Sequence, residues 1–127
     1  MLEVTDLHAG YGRIPILNGI SLSLKPGEIV GVLGHNGMGK TTLLRTLSGQ
    51  IRNNSGSIIF DGKEISRQSP YRRARSGLGY VPQGRDIFPQ LSVLENLKIA
   101  ESSRKGGSAI PDVLGYFPIL EKLLERP

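Results

Sequence analysis

The sequence predicts an α/β fold in which antiparallel strands precede a strand, a glycine-rich loop and a helix. Near the N-terminus, apolar residues alternate with polar ones, which is the period of half-buried strands. A short and nearly continuous apolar run follows at Glu28–Leu33, as expected for a buried strand of a parallel sheet. Behind the glycine-rich loop, leucines recur at helical spacing in Thr42–Leu47.

The first strands are separated by a short glycine-containing stretch. Leu2–Val4 and Ile20–Leu24 alternate as two antiparallel strands would. Between them, His8–Arg13 is expected to form an exposed turn in which two glycines flank Tyr11. Lys25–Gly27 predicts a turn, and the predicted buried strand follows it.

Further elements follow the first helix. Gly49 and then Asn53–Gly56 are predicted to end that helix. Ser57–Phe60 alternates as another strand and is followed by an Asp-Gly turn. Pro70–Arg75 predicts a short basic helix, and Leu78–Val81 predicts the next strand.

The last third of the chain is predicted to be helical. Ser92 with Glu95 three residues later has the pattern of a capping box, which opens a helix through about Ala100. Ser102–Ser108 is expected to be a flexible polar loop. Asp112–Arg126 is amphipathic, with a proline that interrupts the pattern.

Composition limits the class of protein. The 127 residues suffice for one modest domain, and 38% hydrophobic with 21% charged residues is typical of a globular chain. No stretch approaches the roughly 18 to 20 apolar residues that cross a bilayer, and no leader is present, so we expect a cytoplasmic location. The absence of cysteine from the sequence excludes disulfides and thiolate metal sites.

The net charge of +5 raises the question of an anionic partner. The basic residues are scattered, apart from a cluster at Arg72, Arg73 and Arg75, and no aromatic residues are interleaved for base stacking. We therefore expect no nucleic-acid partner. The cluster is interpreted as a solvated helix face, or as charge that an acidic portion of a longer protein would balance.

Residues Gly34–Thr41 match the pattern G-x-x-x-x-G-K-[ST] at every fixed position, between a predicted strand and a predicted helix. Glycines allow the backbone to wrap around a phosphate, so that successive N–H groups form a concave anion site. The helix adds the positive end of its dipole. The sequence therefore predicts a nucleoside triphosphate site, whose candidate residues are Gly34, His35, Asn36, Gly37, Met38, Gly39, Lys40, Thr41 and Thr42.

Two side chains of this loop have the chemistry for a triphosphate and its metal ion. Lys40 can reach the β- and γ-phosphates and offset charge that shifts during phosphoryl transfer, which makes it a candidate catalytic residue. The Thr41 hydroxyl is a hard oxygen ligand suited to Mg²⁺. GTPases, kinases and many ATPases share this loop, so the loop alone does not choose between them.

The order of three features resembles the ATP-binding subunits of ABC transporters. Tyr11 comes first, then Gly34–Thr41, then the sequence Tyr80–Gln83. The resemblance implies a P-loop ATPase core that binds ATP with Mg²⁺. It further implies that Tyr11 stacks on adenine, a contact that contributes about 1–3 kcal/mol in base–aromatic pairs. Gln83 is implied as a second catalytic residue that contacts Mg²⁺ and the attacking water.

A longer stretch narrows the resemblance. Tyr80–Pro89 together with Leu91–Leu97 is similar to the ATPases of branched-chain amino acid importers, a group that includes urea and short-chain amide importers. Gln83 before Gly-Arg leans toward the urea-type branch. The resemblance implies import of such a solute by a subunit peripheral to the cytoplasmic face of the membrane. The implied partners are a second ATPase subunit, identical or different, and membrane-spanning permease subunits that contact the Gln83 loop and the segment to Leu97.

Several motifs of that family are missing from the sequence. The signature Leu-Ser-Gly-Gly-Gln is absent, since Leu47–Gln50 lies too early, in the helix after the phosphate loop. A strand ending in Asp-Glu, the Walker B acids, is also absent. His8 and His35 lie before or within the phosphate loop and cannot be the switch histidine. The resemblance therefore implies an N-terminal fragment, and we expect the chain alone to be inactive because the groups that activate water are missing.

We expect a single, incomplete ABC ATPase domain with three parts. Residues 1–27 would form the β-subdomain with the adenine-contacting loop, residues 28–91 the P-loop core to the glutamine loop, and residues 92–127 the start of a helical subdomain. Such a partial core should expose apolar surface. Two alternatives stay open: an ABC ATPase that works on DNA or ribosomes, and a nucleotide-binding fragment without turnover. Tandem cassettes or a coiled-coil insertion would indicate the first alternative, and this sequence has neither.

Overall fold

The computed structural model of the chain describes residues 1–84, 86–102 and 106–127. These residues form two compact units, Met1–Tyr80 and Val81–Pro127. The first unit contains a sheet and two helices, and the second is helical. Each unit is described by itself.

An antiparallel sheet is the framework of the first unit. Its strands are β1 (Leu2–Tyr11), β2 (Ile14–Leu24), β3 (Asn53–Phe60) and β4 (Lys63–Glu64), in the order β2-β1-β3-β4. Strand β1 therefore pairs on both sides. The two predicted N-terminal strands, their antiparallel pairing and the predicted strand at Ser57–Phe60 are confirmed.

The core lies between this sheet and helix α1 (Lys40–Ser48). Val4 of β1 lies opposite Leu22 of β2 and Ile58 of β3, so apolar residues of neighbouring strands share one face. Leu43 is the apolar side chain that α1 buries in the same cluster. The buried members of this cluster are Val4, Leu7, Ala9, Leu17, Leu43, Ile58 and Ile65.

The turn predicted at His8–Arg13 is wrong in its extent. Strand β1 continues through Tyr11, which pairs with Ile14 of β2. Only Gly12 and Arg13 connect the two strands, with Gly12 at φ 57°. Pairing with β2 extends β1 because each paired residue satisfies its backbone N–H and C=O groups.

Helix α1 confirms the helix predicted from the leucine spacing in Thr42–Leu47, and it begins at Lys40. Gly39 precedes it and Gly49 follows it, and both have positive φ angles, 94° and 87°. The stop predicted at Asn53–Gly56 is wrong, because these residues begin β3 and pair with β1. Pairing in the sheet outweighs the turn preference of asparagine and glycine there.

Two predicted strands do not form. Glu28–Leu33 and Leu78–Val81 are irregular, and the side chains of Ile29 and Leu33 are 99% and 94% exposed. A strand needs a neighbour to pair with its N–H and C=O groups, and no strand lies beside these segments in the part of the chain that is described. The expectation of exposed apolar surface is thereby confirmed.

Helix α2 (Pro70–Arg75) confirms the predicted basic helix but corrects the interpretation of its arginines. Ser69 accepts a hydrogen bond from the backbone N–H of Arg72 and caps the helix. Arg73 is only 2% exposed, so it does not belong to a solvated face. Burial lowers the pKa of Arg73. Its guanidinium donates to the backbone carbonyls of Thr46, Leu47, Ser66 and Gln68.

The second unit contains α3 (Val93–Glu101), α4 (Ile110–Tyr116) and a 3-10 helix (Pro118–Leu123). The capping box predicted at the start of α3 is confirmed. Ser92 Oγ accepts from the backbone N–H of Glu95 at 3.3 Å, and Glu95 Oε2 accepts from the backbone N–H of Ser92 at 2.8 Å.

The amphipathic segment predicted at Asp112–Arg126 forms most of α4 and the 3-10 helix, and Pro118 is the first residue of the 3-10 helix. The Glu101 carboxylate at the end of α3 accepts from the backbone N–H groups of Ala109 and Ile110, which ties α3 to the start of α4. Part of the loop predicted at Ser102–Ser108 lies outside the described residues. Among those that are described, none of the helices combines the length and apolar character needed to cross a membrane.

Candidate nucleotide site

The phosphate loop Gly34–Thr41 leads directly into α1, and its backbone is accessible because residues 34–38 are exposed. Gly39 is the position where glycine is required. Its φ of 94° is left-handed, and a Cβ there would lie 3.1 Å from Leu17 Cδ2 and 3.2 Å from Ile16 Cγ2. The backbone conformation strains any residue with a side chain, and a Cβ would also force the side chains of β2 to move by a few tenths of an ångström.

The Lys40 side chain folds back over the loop. Its Nζ donates to the carbonyl oxygens of Gly34 at 2.5 Å and His35 at 2.7 Å. Both acceptors are neutral, so the positive charge of Lys40 is not cancelled by these contacts. Phosphate oxygens carry more negative charge than carbonyl oxygens and form stronger hydrogen bonds with an ammonium group. A phosphate that enters the loop can therefore displace the carbonyls from Lys40.

The N-terminus of α1 provides further hydrogen-bond donors. No side chain among the described residues caps this end, and no acidic residue lies in the first turn. The first N–H groups of a helix lack partners within it, and the helix dipole is positive there. The loop, Lys40 and the helix end together form a site with the electrostatics for an anion.

Tyr11, the candidate adenine platform, ends β1 and is 47% exposed. Its hydroxyl interacts with two side chains of α1. A hydrogen bond with Thr42 and a long one at 3.5 Å from Arg45 Nη1 lower the pKa of the Tyr11 phenol, and the Thr42 bond has the larger effect. The structure thus brings Tyr11 into contact with Thr42, another candidate nucleotide-binding residue.

Arg45 is a residue of this site that sequence reasoning missed. Its guanidinium interacts with the hydroxyls of Tyr11 and Tyr80, which raises the pKa of Arg45. Arg45 follows Thr42 by three positions, so both side chains share one face of α1. That spacing was visible in the sequence, but the approach of Tyr11 and Tyr80 to this face depends on the fold.

Gln83 belongs to the second unit, where it is exposed. Its part in the site stays a prediction from the resemblance. Arg85, which belongs to the Gln-Gly-Arg sequence of that resemblance, lies outside the described residues.

The residues suggested for Mg²⁺ are Thr41 and Gln83. Thr41 is exposed in the first turn of α1. Among the described residues, no three acidic or histidine side chains cluster where they would hold a metal ion. Mg²⁺ usually keeps several waters and binds through one or two protein oxygens together with substrate phosphates. The donor set therefore suits a metal ion that arrives with the nucleotide.

A second feature is an apolar groove within Val81–Pro127, with a volume of about 530 Å³. Ile87 and Phe88 in it are 63% and 53% exposed. Asn96 holds the backbone of Phe88 in place, since its Oδ1 accepts from Phe88 N at 3.0 Å and its Nδ2 donates to Phe88 O at 3.1 Å. The apolar residues that line the groove include Ile87, Phe88, Leu91, Leu97, Ile99 and Leu120.

The phosphate loop, the strands before it and the helix that follows it are typical of P-loop nucleotide-binding domains. The chain belongs to the ABC transporter family, because the sequence model of that family matches residues 17–126.

Particular relatives are named for different transport tasks. The chain is 36% identical to the probable branched-chain amino acid transport ATP-binding protein LivF of Archaeoglobus fulgidus, over 99% of this chain and 55% of that protein. It is 39% identical to the lipopolysaccharide export system ATP-binding protein LptB of Haemophilus influenzae, over 83% of this chain and 44% of that protein.

A solved structure described as the ATP-binding subunit of an ABC transporter matches with a TM-score of 0.83 at 28% identity. The match covers 98% of this chain and 52% of that one. The chain thus spans about half the length of each of these three proteins. The predicted fold class, a partial ABC ATPase core, is confirmed.

Proposed function

We propose that this chain is the nucleotide-binding part of an ATP-binding subunit, in which Gly34–Thr41 binds the phosphates of ATP together with Mg²⁺. Lys40 and the backbone N–H groups of the loop bind phosphate, the Thr41 hydroxyl ligates Mg²⁺, and Tyr11 stacks on adenine. In the whole protein, Gln83 contacts Mg²⁺ and orients the attacking water.

The observation that carries this proposal is the position of Lys40. Its ammonium lies over the loop on two carbonyl oxygens, beside an uncapped helix N-terminus, so a positive charge and free N–H donors face the same place. Hydrogen bonds to charged groups contribute about 1.5–3 kcal/mol, which corresponds to roughly 10- to 150-fold in affinity.

Titration calorimetry with Mg·ATP tests the proposal. Lys40→Ala should weaken binding by about 10- to 150-fold, since it removes the charge that contacts the phosphates. Lys63→Ala is the matched control, because Lys63 is an exposed lysine of β4 outside the loop, and its binding should be unchanged. Absence of Mg·ATP binding by the unsubstituted chain would contradict the proposal.

We also propose that the whole protein couples ATP binding and hydrolysis to import of a branched-chain amino acid or of urea or an amide. The likeness to the Archaeoglobus fulgidus protein and the similarity of Tyr80–Leu97 to such importers support this solute class. The lipopolysaccharide-export relative supports transport in general but not this solute. Uptake of labelled leucine and urea by cells with and without the intact gene distinguishes the solutes; unchanged uptake of both would exclude them.

The proposed partners are a second ATPase subunit and membrane-spanning permease subunits, at the cytoplasmic face of the membrane. The apolar groove of the second unit supports the permease contact, because Phe88 and Ile87 present exposed apolar side chains on a backbone that Asn96 holds. Phe88→Ser in the intact transporter should reduce co-purification of the permease without changing ATP affinity. Unchanged co-purification would argue against this contact.

For this chain alone, we propose ATP binding without turnover, since its sequence lacks the Walker B acids and the switch histidine. Phosphate release from this chain, compared with that from a chain continued past Pro127, tests this proposal. Equal rates from the two would overturn it.

A further inference from the structure

A polar cavity of about 290 Å³ lies in the first unit, beside the C-terminal end of α1. The phosphate loop lies at the N-terminal end of α1, so the cavity and the loop are at opposite ends of this helix. The volume is at or below the roughly 300–1,000 Å³ of ligand pockets, so the cavity suits a small ion rather than a nucleotide. We call it the arginine pocket; its lining residues are Gly49, Arg52, Ser66, Arg67, Gln68 and Ser69.

The charge of the arginine pocket is unbalanced. Arg52 and Arg67 are exposed, and neither has an ion pair or side-chain hydrogen bond within the described part of the chain. The neighbouring acid is Glu64, whose Oε1 accepts from the Ser66 hydroxyl at 3.0 Å. Guanidinium groups without carboxylate partners favour binding of an anion.

A third arginine lies behind the wall of the pocket. Arg73 is 2% exposed, and a Cβ on Gly49 would lie 3.0 Å from its Nε. Within the described residues, no carboxylate forms an ion pair with it, and its acceptors are neutral carbonyls. These carbonyls carry only partial negative charge, so an anion beyond Gly49 would still be attracted to the Arg73 guanidinium.

The partial negative charge at the C-terminal end of α1 does not repel an anion from the arginine pocket. Helix C-termini carry partial negative charge on their free carbonyls. Here Arg73 Nη1 donates to the carbonyl oxygens of Thr46 and Leu47, both at 2.8 Å. The guanidinium therefore offsets the negative end of the dipole next to the pocket.

We propose that the arginine pocket binds a small phosphate-type dianion, with Arg52 and Arg67 as direct donors and Arg73 as a fixed positive charge behind Gly49. The planar donor fork of arginine matches phosphate oxygens, and two such forks favour a dianion over a monocarboxylate. The Ser69 hydroxyl accepts from Arg72 N, so its own proton is available to a ligand oxygen. This site is independent of the proposed ATP site.

The test is a titration of inorganic phosphate followed by backbone amide NMR, in the Lys40→Ala chain so that the phosphate loop contributes little. The amides of Gly49, Ser66 and Ser69 should shift saturably. The double variant Arg52→Gln/Arg67→Gln should lower the affinity at least tenfold. It should fold normally because neither side chain has a hydrogen bond or ion pair with the residues that the structure describes. Arg13→Gln, in the exposed turn between β1 and β2, is the matched control and should bind as before.

Two results would overturn this proposal. One is the absence of saturable shifts at these three amides, or shifts that persist in the double arginine variant. The other is equal affinity for acetate and phosphate, which would show that the pocket does not select a dianion. Neither result bears on ATP binding, which is measured separately through Lys40.

Discussion

Single residues at the end of the phosphate loop and in α1 contact the strands of the sheet. Gly39 accommodates the side chains of Ile16 and Leu17, so β2 can pack directly against the loop. Thr42 and Arg45 interact with the hydroxyl of Tyr11, which ties the end of β1 to the same helix. Strand β2 therefore contacts the loop, and strand β1 contacts the helix that follows it.

At residue scale, two substitutions distinguish the effect of the Tyr11 ring on ATP binding from that of its hydroxyl. If the ring stacks on adenine, Tyr11→Ala should weaken ATP binding by roughly 5- to 150-fold, since such stacking contributes about 1–3 kcal/mol. Tyr11→Phe keeps the ring and should weaken binding less. Affinities for Mg·ATP and for tripolyphosphate provide the comparison, and tripolyphosphate should bind equally to all three chains. Tyr71→Ala is the control, because it removes another exposed tyrosine. If Tyr71→Ala and Tyr11→Ala lose the same affinity for Mg·ATP, stacking of Tyr11 on adenine is excluded.

A second prediction at this scale concerns the backbone at Gly39. Gly39→Ala should lower the free energy of unfolding by about 1–3 kcal/mol, because a non-glycine residue is strained at this φ and its Cβ meets β2 side chains. Gly31→Ala is the matched control, since a Cβ there meets nothing within 4 Å and its φ is not left-handed. Urea unfolding measures both variants. A Gly39→Ala chain as stable as the Gly31→Ala chain would contradict this account.

At the scale of elements, the helix ends differ in whether their backbone groups already have hydrogen-bond partners. Among the described residues, no side chain caps the N-terminus of α1 beside the phosphate loop, whereas Arg73 donates to carbonyls at the other end of the helix. Helix α3 differs, because its own capping box occupies its N-terminus. Of these two helix starts, α1 therefore retains donors for an anion.

The capping box of α3 predicts a pH dependence. Hydrogen bonds from the backbone and side chain of Ser92 lower the pKa of Glu95 below the value of about 4.3 typical of an unfolded chain. A lowered pKa in the folded state means that the carboxylate stabilises α3 above about pH 4, and that this contribution is lost as the pH falls through the lowered pKa.

Carbon chemical shifts at residues 93–96, recorded from pH 7 to pH 2, should report fraying of the first turn of α3 at the acidic end. Glu95→Gln should show little pH dependence there. Glu125→Gln, an exposed glutamate after the 3-10 helix, should behave as the unsubstituted chain does. The same acidic change in the Glu95→Gln chain would show that Glu95 is not its cause.

At the scale of the whole molecule, the exposed segment 28–33 is the feature with the clearest consequence. Its apolar side chains, including Ile29 and Leu33, face solvent where a strand was predicted. Exposed apolar surface of this kind promotes association.

The chain should therefore self-associate with increasing concentration, and the double variant Ile29→Ser/Leu33→Ser should reduce that association. Sedimentation velocity over a concentration series measures the effect. Ile119→Ser, at an exposed isoleucine of the 3-10 helix, serves as the control and should change association less. A double variant that associates as strongly as the unsubstituted chain would assign association to another surface.

The sequence alone determined the phosphate loop, the helix after it, the N-terminal strands and the capping box of α3, because each depends on local spacing or on backbone chemistry within a few residues. It also indicated the family. Only the tertiary structure decided the extent of β1, the start of β3 at Asn53 and the irregular state of 28–33 and 78–81. Strand formation depends on a partner elsewhere in the chain, which local pattern does not reveal. The burial of Arg73 and the contact of Arg45 with Tyr11 likewise depend on residues distant in sequence, which the local pattern does not reveal.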